Sequence, residues 1–159
     1  VRRAGVRALI GRGWGGLAPE ALPANVHAID HVPHDWLFPR VAAVVHHGGA
    51  GTTHAGLRAG RPTLVCPFFG DQPFWGARVH ALGAGPAPIP QRKLTPARLA
   101  TALEALVGDD AYARRAAELG ESLRAERGVE AAVRWLEALS PPANSVPAMG
   151  HHGRNYTAV

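Results

Sequence analysis

The segment AVVHHGGAGTTHAGLRAGRP, residues 43–62, sets His46, His47 and His54 around the small residues Gly48 to Gly51 and the pair Thr52–Thr53. Three readings compete: a metal site on the histidines, an anion cradle of backbone N–H groups, and a tight turn without chemistry. Metal ligation fits poorly. Neighbours at a strand end point to opposite faces, so His46 and His47 do not converge on one ion. His31 and His34 flank Val32 and Pro33, and the proline interrupts any helix that would bring both to one face. Cys66 is the only cysteine, and Asp109 and Asp110 suit a helix start better than a cation. No metal is expected.

The anion reading accounts for more of the segment. A helix opening near Ala50 leaves its first N–H groups free and adds about half a positive charge from its dipole. Gly49, Ala50 and Gly51 are small enough for a ligand to come close, Thr52 and Thr53 bring hydroxyls, and the ring of His47 can donate to a phosphate oxygen. Each hydrogen bond to a charged group is worth about 1.5–3 kcal/mol, so together these groups could hold a diphosphate without a metal. On this segment alone, a glycine-rich turn from strand to helix stays open. A second segment, CPFFGDQPFWGARV at 66–79, places Asp71 and Gln72 at another helix entrance. An aspartate there can be an N-cap and nothing more. Beside an anion cradle, however, Asp71 and Gln72 offer the acceptors and donors that sugar hydroxyls need, and the two strand ends together have the layout of a nucleotide-sugar site.

The elements that must position these residues alternate. Short β-branched runs at 6–10, 25–29, 41–46, 62–66 and 85–89 are separated by stretches of helical length, the βαβ pattern of a doubly wound parallel sheet in an α/β fold. In such sheets ligands gather beyond the carboxyl ends of the strands. After Gln91 the pattern is helical. Thr95 and Pro96 open one helix with Leu99, Ala102, Leu103, Leu106 and Val107 on its apolar face. Asp109 or Asp110 caps a second, carrying Tyr112, Ala116, Leu119 and Leu123, and Val129, Ala132, Val133 and Leu136 line a third. These faces predict packing and no chemistry. Residues 1–139 read as one domain, and 140–159, with three prolines and no periodicity, as a disordered tail.

Composition bounds the partners. The chain has 159 residues, 47% of them hydrophobic, enough to bury a core. Its net charge of +5 comes from sixteen arginines and Lys93, scattered along the chain, which argues against a nucleic-acid arm and suits a phosphate-bearing small ligand. No apolar run reaches the roughly 18–20 residues of a membrane span, and VRRAGVRALIG is not a signal peptide, so no transmembrane segment and a cytoplasmic location are expected. In PTLVCPFF, Cys66 reads as a small core residue.

Residues 32–90 closely resemble the donor-binding signature of UDP-dependent glycosyltransferases of the GT-B fold, nearest the sterol glucosyltransferase branch, with antibiotic glycosyltransferases as relatives. HHGGAGTT and PFFGDQPFWGARV carry the resemblance, which extends over about residues 1–138. It implies a Rossmann-like C-terminal half of a GT-B enzyme. It assigns the donor diphosphate to His47, Gly49, Ala50, Gly51 and Thr52, the transferred sugar to Asp71 and Gln72, and the nucleobase to His31 and Val32. His31 stands where many relatives have tryptophan, and Ala55 where many have a ribose-binding glutamate; UDP is the favoured donor group and dTDP an alternative. The resemblance implies inverting transfer of a hexosyl group to a hydroxyl of a lipophilic acceptor such as a sterol or polyketide, with no cofactor or metal. It also implies that the acceptor site, the catalytic base and the first strand of the donor domain lie outside this chain, which alone is expected to be inactive. The catalytic residue is therefore unknown from this sequence. A stand-alone nucleotide-sugar binding subunit and a nonfunctional fragment are the alternatives.

Overall fold

The computed structural model describes residues 1–13 and 22–139; the stretch read as a disordered tail lies outside the described residues. Two parallel strand pairs form its centre. In the first, β1 (Ala8–Gly11) lies beside β2 (Val26–Ile29), with Ala8 opposite Val26 and Gly11 opposite Ile29. In the second, β3 (Val44–His46) lies beside β4 (Thr63–Val65), with Val44 opposite Thr63 and His46 opposite Val65. Parallel neighbours need a crossover. Helix α1 (His34–Leu37), with the 3₁₀ turn Phe38–Arg40, joins β2 to β3, and helix α2 (Ala50–Arg58) joins β3 to β4.

Residues that follow the strands of both pairs meet one cavity: Arg12 follows β1, Asp30 and His31 follow β2, and His46 ends β3, with Thr52 in the helix beyond it. The doubly wound pattern puts ligands at such strand ends. Where the spacing predicts one sheet, the described residues form two, with no backbone hydrogen bond joining β1 or β2 to β3 or β4. A cavity of about 1040 Å³ is lined by residues of β1, β2 and β3, among them Leu9, Ile29 and Val45.

Strand β4 explains the core. Its consecutive residues Leu64 and Val65 are 0% and 1% exposed although they point to opposite faces, so both faces of the sheet are covered. Val65 packs with Leu57, Val79, Ala84 and Ala116, and Leu64 with Cys66, Leu103 and Leu106. Cys66 is thus the core residue its setting predicts, and burial pushes its thiol up. Helix α3 (Gln72–Ala81) follows β4. The run at 85–89, predicted as a fifth strand, is not one. The amide of Thr63 donates to the carbonyl of Ala84 and that of Ile89 to the carbonyl of Val65, so the segment runs along β4. Pro86 and Pro88 have no N–H to continue a ladder.

Helix α4 (Pro96–Gly108) begins as predicted: the Thr95 hydroxyl accepts from the Arg98 amide at 3.2 Å, and Pro96 takes the first position. Leu103 and Leu106 are buried, while Val107, expected on the same face, is exposed and lines the cavity. Helix α5 (Asp110–Ala125) is preceded by Asp109, whose carboxylate accepts from the Ala111 amide at 2.9 Å; of the two candidate aspartates it is the cap. Contacts divide the chain into Val1–Ala125 and Glu126–Val159. The second unit contains helix α6 (Gly128–Leu139), which forms where the third apolar stripe predicts a helix, although none of its residues is buried.

Candidate functional site

The turn from β3 into α2 is built on Gly48. Its φ of +99° lies in the left-handed region, and a Cβ there would stand 2.6 Å from Cγ1 of Val65 and 3.0 Å from the carbonyl oxygen of Gln72, so only glycine fits. The Gly48 amide donates to Nδ1 of His46 at 2.9 Å, which fixes the bend. Gly49 is then the N-cap of α2, with no side-chain cap. Among the described residues, the amides of Ala50, Gly51 and Thr52 have no hydrogen-bond partner. The ring of His47 folds over this end of the helix: its Nε2 lies 2.7 Å from the place a Cβ on Gly49 would take. Thr52 is partly open and lines the cavity. Thr53, expected to add a second hydroxyl, does not. It is 1% exposed, and its hydroxyl donates to the Gly49 carbonyl at 2.9 Å. One step along a helix turns a side chain by roughly 100°, enough to send Thr53 into the core.

His46 and His47 diverge, with ring planes at 84° and centroids 6.2 Å apart. Burial lowers the pKa of His46 to about 4, with the nearby rings of His47 and His34 adding to the effect. Its Nδ1 accepts from Gly48, so the neutral ring carries its proton on Nε2, which is buried without a partner among the described residues. Among the described residues, no three His, Cys, Asp or Glu side chains converge as metal ligands.

Beyond β4, Asp71 is exposed and makes no capping hydrogen bond to α3. One of its oxygens, Oδ2, accepts from the indole Nε1 of Trp75 at 2.8 Å. Gln72 is 8% exposed, and its Oε1 accepts from the amides of Phe68 at 2.8 Å and Phe69 at 3.2 Å. The Gly48 seam joins this pair to the α2 turn, because the Gln72 backbone closes over the glycine. His31 and Val32 follow β2 and line the cavity together with His34, His46 and Thr52. The cavity therefore gathers His31, Val32 and Thr52, whereas His47 and the Asp71–Gln72 pair stand outside its lining. The sequence reading missed Trp75. Its position four residues after Asp71 on a helix was the available signal, since such residues are neighbours on one face.

Comparison with known proteins follows the same residues. The family described as the erythromycin biosynthesis protein CIII-like C-terminal domain matches residues 16–139. A sterol 3-beta-glucosyltransferase of Arabidopsis thaliana is 50% identical over 135 residues, covering 84% of this chain and 21% of that protein. Among solved structures, the glycotransferase of kitacinnamycin superposes with a TM-score of 0.75 at 33% identity, over 85% of this chain and 35% of the other. A spinosyn rhamnosyltransferase in complex with thymidine diphosphate superposes at 0.73 and 28% identity, over 86% and 40%. The chain spans about a fifth of the length of the plant relative. No helix among the described residues is long and apolar enough to cross a membrane.

Proposed function

Because this chain belongs to the family of the erythromycin biosynthesis protein CIII-like C-terminal domain, we propose that it is the donor-binding part of an inverting glycosyltransferase. The reaction we assign moves a hexosyl group from a nucleoside-diphosphate sugar to a hydroxyl of a lipophilic acceptor. UDP is the favoured nucleotide; dTDP is the alternative, in keeping with the thymidine diphosphate on the spinosyn enzyme. The name of the plant relative favours a sterol-like acceptor.

The observation that carries this reading is the open start of α2. Three amides without a partner among the described residues, the Thr52 hydroxyl and Nε2 of His47 lie on one turn beyond the carboxyl end of β3. In this reading Gly49 to Thr52 and His47 donate to the diphosphate, Asp71 and Gln72 hold the sugar, and His31 and Val32 meet the base. The acceptor oxygen attacks the anomeric carbon as the bond to the diphosphate breaks, and charge grows on the departing phosphate. Donors already in place stabilise that charge without rearranging, and the reading calls for no metal. The proton of the acceptor hydroxyl goes to a base outside residues 1–159, supplied with the acceptor site by another domain or subunit. The chain alone is expected to bind donor and not to transfer sugar.

Titration calorimetry of the chain with UDP and dTDP tests this. His47→Ala is expected to cost about 1.5–3 kcal/mol of affinity, the scale of one hydrogen bond to a charged group. Thr52→Val is expected to cost less, since the amides remain, and chelator is expected to change nothing. Absence of binding by either nucleotide, or binding abolished by chelator, would overturn the reading.

A further inference from the structure

Asp71 and Gln72 each present two polar atoms, and in each residue one is already taken. Trp75 Nε1 donates to Oδ2 of Asp71 at 2.8 Å, and Trp75 is itself held edge-to-face by Phe74, with ring centroids 5.3 Å apart. Oε1 of Gln72 takes the amides of Phe68 and Phe69. Backbone amides only donate, so they settle which end of the Gln72 amide group is oxygen. Its Nε2 has no hydrogen-bond partner among the described residues and is not shut off from solvent.

We propose that Trp75 and the Phe68–Phe69 backbone are positioning groups, the first fixing the orientation of the Asp71 carboxylate and the second the polarity of the Gln72 amide, so that Oδ1 of Asp71 is left as an unengaged acceptor and Nε2 of Gln72 as an unengaged donor for a sugar. This rests on the reading of Asp71 and Gln72 as sugar contacts. The ligand it selects is a sugar with a hydroxyl to donate to Asp71 and an adjacent oxygen to accept from Gln72. A sugar lacking a hydroxyl at either position leaves a polar group of the pair unpaired, which is costlier than losing a neutral contact. The donor class is accordingly a hexose that keeps both of these adjacent hydroxyls, in preference to one deoxygenated at either position.

Calorimetry of the folded chain with UDP-glucose and with UDP separates the proposal from the reading beneath it. Trp75→Phe keeps the ring and removes the donor. It is expected to weaken UDP-glucose binding about 3- to 10-fold, the scale of one net hydrogen bond, and to leave UDP within about twofold. Gln72→Glu keeps one oxygen for the Phe68 and Phe69 amides and turns the outward donor into an acceptor; it too is expected to weaken UDP-glucose selectively. Equal losses for both ligands, or none, in Trp75→Phe would overturn the proposal. If Asp71→Asn leaves the ratio of the two affinities unchanged, the sugar-contact reading itself fails. A ligand-free check uses amide-type exchange by NMR. The Trp75 indole proton is expected to exchange more slowly than those of exposed Trp36 and Trp135, and Asp71→Ala is expected to remove the difference. An indole proton that exchanges at the rate of the exposed pair in the unaltered chain would overturn the contact.

Discussion

Acid is expected to weaken the turn into α2 through His46. Nδ1 of this ring accepts the Gly48 amide, and Nε2 is buried. Protonation puts hydrogen on both nitrogens, so Nδ1 would turn a donor toward the Gly48 N–H. The pKa of about 4 lies below the ordinary 6.5, with burial the main cause and the rings of His47 and His34 contributing. The folded state therefore binds the proton less readily than the unfolded chain. Stability from this group is fully present above pH 6.5 and falls as the pH drops from 6.5 toward 4. At 1.36 kcal/mol for each pH unit crossed, the loss on reaching pH 4 is about 3 kcal/mol, a large part of a typical domain's stability.

Urea unfolding of the chain and of His46→Asn at a series of pH values isolates this effect. Asparagine can present an oxygen near the place of Nδ1, keeps the Gly48 amide satisfied and does not titrate. Carboxylates that protonate over the same range do so in both proteins, so the difference between the two stability curves reports His46. It is expected to shrink or reverse by about 3 kcal/mol in favour of the asparagine variant between pH 7 and pH 4. UDP affinity of the unaltered chain is expected to weaken over the same window, because Gly48 sets the direction of the α2 amides. Parallel stability curves, or a His46 resonance titrating near 6.5, would refute the argument.

Two further outcomes follow from close approaches. Gly48→Ala is expected to lose about 3 kcal/mol in thermal or urea unfolding and to weaken UDP binding, since the added carbon meets Val65 and the Gln72 carbonyl at a φ of +99°. Gly85→Ala is expected to be at least as destabilising without a specific effect on UDP affinity per folded molecule, because its Cβ would fall 1.9 Å from the carbonyl oxygen of Thr63, the first residue of β4, whereas Gly48 meets Val65, the last.

What could be read along the chain and what could not divide by the range of the interaction. The start of α2 at Ala50, the Thr95 cap and the Cys66 environment depend on neighbours within a few residues, and each stands where composition and spacing put it. The prolines at 86 and 88 are a local signal against the fifth strand expected at 85–89. The separation of β1–β2 from β3–β4 carries no such signal, because a strand's own residues specify which faces are buried and not which strand lies alongside. The same limit governs the site. Type and position make Thr52 and Thr53 alike as hydroxyl donors, yet Thr53 is spent on the Gly49 carbonyl. Gln72 was legible as a polar residue at a helix entrance, yet its hydrogen-bonding polarity is decided by the path of the backbone at Phe68 and Phe69. Gly48 ties these together. Its missing side chain lets the Gln72 backbone close against the β3–α2 turn, so the groups assigned to phosphate and to sugar are held in one packed unit, and a displacement of either is felt by the other.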